Sequence, residues 1–112
     1  MAKHPKFEVT KRTNGEFQFN LTASNGETIL SSEGYKAKDS CLNGIESVRK
    51  NSQDSTLFEK KESANGKFYF NLKATNGQII GTSQMYASAA SRDNGCESVA
   101  KNAADAEVED NS

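Results

Sequence analysis

The chain has 112 residues, 34% of them hydrophobic and 26% charged, and its 14 basic and 15 acidic side chains nearly cancel to a net charge of −1. That length suits one domain with a thin core. No Lys/Arg run exceeds two residues, so the basic footprint of a dedicated nucleic-acid binder is missing. No apolar stretch has the length of a membrane span, and Met1 to Lys6 lacks the apolar core of a signal peptide, so a cytoplasmic protein is expected.

Shifted by 51 positions without a gap, residues 7–55 match residues 58–106 at 23 of 49 positions. The chain is a tandem duplication. A short tail at 1–6 precedes a single domain over 7–109, made of repeat 1 (7–57) and repeat 2 (58–109), and 110–112 form a second tail. A unit of about 50 residues buries too little surface to be comfortable alone, so the repeats are expected to share one core.

Within each unit the first elements read as a three-stranded antiparallel meander, near 7–12, 16–24 and 27–32 and again near 58–63, 67–75 and 78–83. Phe17, Phe19, Leu21 and Ala23 alternate with polar residues, the period of a half-buried strand, and Asn-Gly pairs flank it as turn signals. A two-residue turn at Asn14-Gly15 would place Phe7 and Val9 on the polar face. A three-residue loop with Gly15 as a left-handed bulge instead pairs Val9 with Phe19 and Phe7 with Leu21. The same parity at Ser24–Gly26 puts Ile29, and its counterpart Ile80, beside Leu21 and Leu72. On the polar face, Glu8 and Asn20, and likewise Glu59 and Asn71, become cross-strand neighbours, with Gln18, Tyr69 and Lys73 extending that surface.

Segments near 38–51 and 89–102 carry apolar residues at helical spacing, Cys41, Gly44, Ile45 and Val48 in the first copy. Gly44 and Gly95 then face inward, where a missing side chain lets the helix approach the sheet. Tyr35 and Tyr86 are expected at the sheet-to-helix junction. Beyond the helices, Ser55–Phe58 and Ala106–Glu109 are equivalent and each suits a short strand, the first running directly into repeat 2. Cys41 and Cys96 are not equivalent, so neither a disulfide framework nor a paired metal site is expected, and both read as reduced, packed thiols.

The order strand, Asn-Gly, Phe-x-Phe-x-Leu strand, Asn-Gly, strand, Tyr, then helix carries a twice-repeated helix motif, Asn43-Gly44-Ile45-Glu46-Ser47-Val48-Arg49-Lys50-Asn51 and Asn94-Gly95-Cys96-Glu97-Ser98-Val99-Ala100-Lys101-Asn102. In this the chain resembles the mostly bacterial YegP family of unknown function over nearly all of residues 7–109. The resemblance implies an α+β fold: two β3-α-β units forming a single antiparallel-rich sheet, two helices packed on one face, and C-terminal strands exchanged between units. It implies no activity and supplies no catalytic residues. An internal pseudo-dimer of this kind is expected to be a monomer.

No phosphate loop, HExxH, CxxC or nucleophile-elbow pattern occurs, and the single histidine, His4, sits in the polar N-terminal tail. A non-catalytic reading follows, with no cofactor and no metal expected. Helical spacing places Asn43, Glu46, Ser47 and Lys50 opposite the buried face, and they recur unchanged as Asn94, Glu97, Ser98 and Lys101 while Cys41, Leu42 and Ile45 became Arg92, Asp93 and Cys96. These eight residues are the candidate binding surface. Solvated Glu46–Lys50 pairing explains the same stripe without a partner. The leading expectation is a cytoplasmic interaction module with pseudo-twofold surfaces, with a protein as the partner considered. The alternative is a small-ligand protein or enzyme with its site between the repeats.

Overall fold

A computed structural model describes residues 5–112; His4 lies outside them. In chain order the elements are β1 (Lys6–Lys11), β2 (Phe17–Thr22), β3 (Thr28–Ser31), α1 (Lys38–Asn51), β4 (Phe58–Glu62), β5 (Phe68–Lys73), β6 (Ile79–Thr82), α2 (Ala89–Asp105) and β7 (Glu107–Asp110), with a 3-10 turn over Ser55–Leu57. The strands form one sheet in the order β4-β5-β6-β3-β2-β1-β7, antiparallel except for the parallel β1–β7 pair.

The first hairpin has the register that the hydrophobic parity demands. Val9 pairs with Phe19 and Phe7 with Leu21, and Gly15 is left-handed at φ 88°. Its amide closes the loop onto the Arg12 carbonyl at 2.9 Å. The second copy repeats this, with Phe58 opposite Leu72 and Lys60 opposite Phe70.

The third strands depart from simple parity. A bulge between Leu21 and Thr22 shifts the register, so Leu21 faces Leu30 rather than Ile29, and Leu72 faces Gly81 rather than Ile80. Ile29 and Leu30 are both buried, as are their equivalents Ile80 and Gly81, so the copies differ in which side chain stands there and not in its burial. The reason for the glycine lies at the centre of the sheet. Ser31 pairs with Thr82, its own equivalent 51 positions on, so the pseudo-twofold axis passes through that pair. A Cβ on Gly81 would lie 2.7 Å from Leu30 Cγ, so the axis has room for one leucine and not two.

Phe7, Val9, Phe19, Leu21, Leu30, Ile45, Val48, Leu72 and Val99 are fully buried in the one core that both repeats share. Gly44 and Gly95 face it as the helical spacing requires, because a Cβ on Gly44 would meet Tyr35 Oη at 2.5 Å. Tyr35 stacks on Phe19 and Tyr86 on Phe70, each pair with ring centroids 6.3 Å apart, at the sheet-to-helix junction. Both thiols are free and buried.

The exchange of terminal strands is one-sided. After α2 the chain crosses to the other repeat, and β7 lies parallel to β1 with Val108 opposite Phe7 and Asp110 opposite Val9. After α1 the equivalent residues form the 3-10 turn and feed straight into β4, because Phe58 is needed to begin the next sheet edge. β4 is therefore left as an outer strand at the opposite end of the sheet.

Candidate functional site

The repeated helix residues divide into two kinds. Asn43, Glu46 and Lys50 on α1, and Asn94, Glu97 and Lys101 on α2, are exposed. Ser47 and Ser98 are half-buried, at the margin of the outer stripe. Each hydroxyl accepts from an asparagine one turn later, Asn51 Nδ2 to Ser47 Oγ at 2.9 Å and Asn102 Nδ2 to Ser98 Oγ at 3.0 Å. The same amides also donate to the Ser47 and Ser98 carbonyls, so each asparagine side chain folds back onto the serine one turn before it. Glu46 also differs from expectation: it pairs with Arg49 at 2.7 Å rather than with Lys50.

The α2 set gathers at a surface hollow. Asn94, Glu97, Ser98 and Lys101 form one wall of an open depression of about 700 Å³, and Ala23, Ser24 and Asn25 of the β2–β3 turn form the other. That hollow lies between the repeats, since the turn belongs to the first copy and the helix to the second. Ser24 Oγ donates to Asn102 Oδ1 at 3.5 Å across it. The α1 set contributes nothing to this depression.

The face of the sheet away from the helices is polar and internally cross-linked. Asn71 Nδ2 donates to Glu59 at 3.2 Å, as their cross-strand position requires, and Lys73 pairs with the same carboxylate at 2.8 Å. Lys73, followed by the Asn71 amide, holds the Glu59 carboxyl below its ordinary range. Gln18 donates to Asn20 at 3.3 Å and receives Arg12 Nε at 2.8 Å. At the far edge Lys6 pairs with Glu109 and Lys38 with Asp110, ties that fasten β7.

A second hollow, of about 380 Å³, lies between α2 and the edge of β4. Its apolar lining is Phe58, Cys96 and Ala100; its polar rim includes Lys60, Asp93, Glu97 and Gln53. Lys60 and Asp93 pair at 3.2 Å. Burial pushes the Cys96 thiol up to about 11, so this cysteine is a packing group and not a poised nucleophile. The equivalent region of the first copy is closed. There Arg49 lies over the Phe7 ring at 5.4 Å and donates to the Ala106 carbonyl at 2.6 Å. Ala100 stands where Arg49 would, Cys96 where Ile45 would, and Lys60 and Asp93 replace Val9 and Leu42. Reading the repeats for what they share passes over this hollow, because the differences between copies make it.

Among the described residues no helix is long and apolar enough to cross a membrane. The family model described as "Domain of unknown function (DUF1508)" matches twice, over residues 13–59 and 63–110. The chain is 58% identical over 102 residues to a UPF0339 protein of the ptx operon 5′ region of Stutzerimonas stutzeri, covering 91% of this chain and 92% of that one. It is 55% identical to the UPF0339 protein YegP of Escherichia coli K12, covering 94% and 96%. The solution NMR structure of E. coli yegP, described as a protein of unknown function, superposes with a TM-score of 0.90 at 54% identity, over 99% of this chain and 94% of that one. A UPF0339 protein of Shewanella oneidensis gives a TM-score of 0.88 at 50% identity, over 94% and 89%. With two such units joined in one seven-stranded sheet, the chain belongs to the YegP (UPF0339) family.

Proposed function

We propose that this protein is a non-catalytic interaction module, acting as a monomer in the bacterial cytoplasm, and that it engages a protein partner through the outer faces of α1 and α2. One observation carries the reading: Asn43, Glu46 and Lys50 recur as Asn94, Glu97 and Lys101, and all six are exposed. Packing does not require their identity. The nearby core positions 45 and 96, by contrast, differ between the copies. Two identical polar patches on one face suit a partner that is itself twofold or carries two like sites.

The test replaces Glu46, Lys50, Glu97 and Lys101 together with alanine. Capture of a defined partner, identified first with the unaltered chain, is expected to disappear while the melting temperature stays within a few degrees. Capture at unchanged strength overturns the helix-face reading.

A second reading is favoured by the depression between Ala23–Asn25 and α2, which draws its walls from both repeats. It would hold a small polar ligand and requires thermal stabilisation by at least one member of a metabolite panel, lost in the Lys101→Ala variant.

A further inference from the structure

We infer that the outer edge of β4, together with the hollow beneath it, binds an extended peptide segment of a partner protein, laid parallel to β4, with an apolar residue opposite Phe58 and an acidic one opposite Lys60. The internal twofold supplies the template. β1 and β4 are equivalent strands, and β1 already carries such a segment: β7 runs parallel to it, with Val108 opposite Phe7 and Asp110 opposite Val9. The Asn111 amide donates to the Val9 carbonyl at 2.8 Å, so this residue directs its backbone outward to the added strand. In the first copy Arg12 directs its amide to Glu16 in β2's lead-in, and in the second Ser63 does the same to Lys67, so the two strands alternate in phase. Phe58 and Lys60 therefore present the backbone groups at the β4 edge that Phe7 and Val9 present to β7.

The side chains beside this edge are changed in a way that suits an occupant. Arg49, which covers Phe7, is replaced by Ala100, and this leaves the hollow of about 380 Å³ below Phe58 for a residue larger than Val108. At the position facing Asp110 in the template, Val9 is replaced by Lys60. In the first copy the Asp110 carboxylate is met by Lys38, whose equivalent is Ala89. A cation thus faces the same point of the added strand in both copies, from the helix start in one and from the strand in the other. The opposing consideration is that an edge lysine also keeps other strands away. Under that view Lys60 with Asp93 is a guard and the edge stays bare.

The two views separate by titrating the full-length, isotopically labelled protein with a peptide of the sequence of residues 106–112 carrying Val108→Leu. The expected result is saturable amide shifts confined to Phe58–Glu62 and to Cys96 and Ala100 in the hollow. Lys60→Glu in the protein, or Asp110→Lys in the peptide, should each weaken binding at least tenfold, and combining the two should restore most of it. That recovery also shows that the Lys60→Glu protein is folded. Absence of saturable shifts overturns the proposal in favour of the guard. Shifts at β1 with release of β7 overturn it, since the peptide would then be replacing the chain's own strand. Edge shifts that grow with protein concentration alone overturn it as well, because a second copy would be the occupant.

Discussion

Arg49 reaches from α1 in the first repeat to the Ala106 carbonyl, 2.6 Å away, at the point where the second repeat sends its last strand back across the sheet. The same guanidinium lies 5.4 Å from the centre of the Phe7 ring. One side chain thus fastens the exchanged strand and roofs the aromatic residue that β7 pairs with. Arg49→Ala should remove a charge-assisted hydrogen bond and a cation–π contact from a partly exposed site, destabilising the protein by about 1–2 kcal/mol. Denaturant unfolding reads the loss, and hydrogen exchange should locate it by faster exchange at β7 than at β5. Equal acceleration throughout the sheet would contradict the assignment.

Severing the chain between Asp54 and Ser55 should leave two pieces that do not fold separately. Among the described residues β7 in the second piece pairs only with β1 in the first, and the Ser31–Thr82 pairing at the centre is also divided. Far-ultraviolet circular dichroism should show each fragment largely unfolded and their equimolar mixture regaining the spectrum of the intact chain. A cooperative melt of the 55–112 fragment by itself would refute this.

The single leucine at the twofold axis gives a coupling that can be measured. Gly81→Ala places a methyl 2.7 Å from Leu30 Cγ and should cost about 1–3 kcal/mol by overpacking. Leu30→Ala alone, at a fully buried position, should cost about 2–5 kcal/mol. The double variant is expected to be more stable than the sum of the two losses, because each substitution makes room for the other; strict additivity would show that the two side chains do not compete.

Such a coupling was only half legible in the letters. Phe-x-Phe-x-Leu fixed the parity of β1 and β2 because moving either strand by one residue would have turned Phe7 and Val9 to the polar face. No comparable pattern marks the bulge between Leu21 and Thr22, which is a backbone irregularity, and parity alone therefore chose Ile29 over Leu30. The substitution of Leu30 by Gly81 was the available clue, and its meaning depends on knowing that the two positions meet at the axis. Likewise the outer helix positions were readable from a 3.6-residue period. That Ser47 turns inward to Asn51 was not, since a side-chain hydrogen bond to the helix's own last turn leaves no periodic trace. Nothing local in the sequence marks Arg49, because its carbonyl partner sits 57 residues away.

Cys96 offers a test by pH. Burial raises its thiol from the ordinary value of 9.0 to about 11. The folded state therefore holds the proton more tightly than the unfolded chain. Any stability linked to this group is fully present below pH 9 and declines as pH rises from about 9 towards 11. Alkylation of the native protein at pH 8 should accordingly be much slower than that of a free thiol, and the alkaline decline in stability should be smaller in Cys96→Ala. Rapid alkylation at pH 8 would show that the thiol is not sheltered as described.

The one-sided strand exchange separates this chain from any pair of identical subunits. In a symmetric dimer a change at the position of Arg49 would appear at both ends of the sheet, and an edge opened at one end would be opened at the other. Joining the repeats through Ser55–Leu57 takes one terminal strand out of circulation and makes every position single. One end of the sheet can then remain sealed by β7, Arg49 and Lys38 while the other carries Ala100, Lys60 and a hollow. Covalent fusion has given a twofold architecture two different ends.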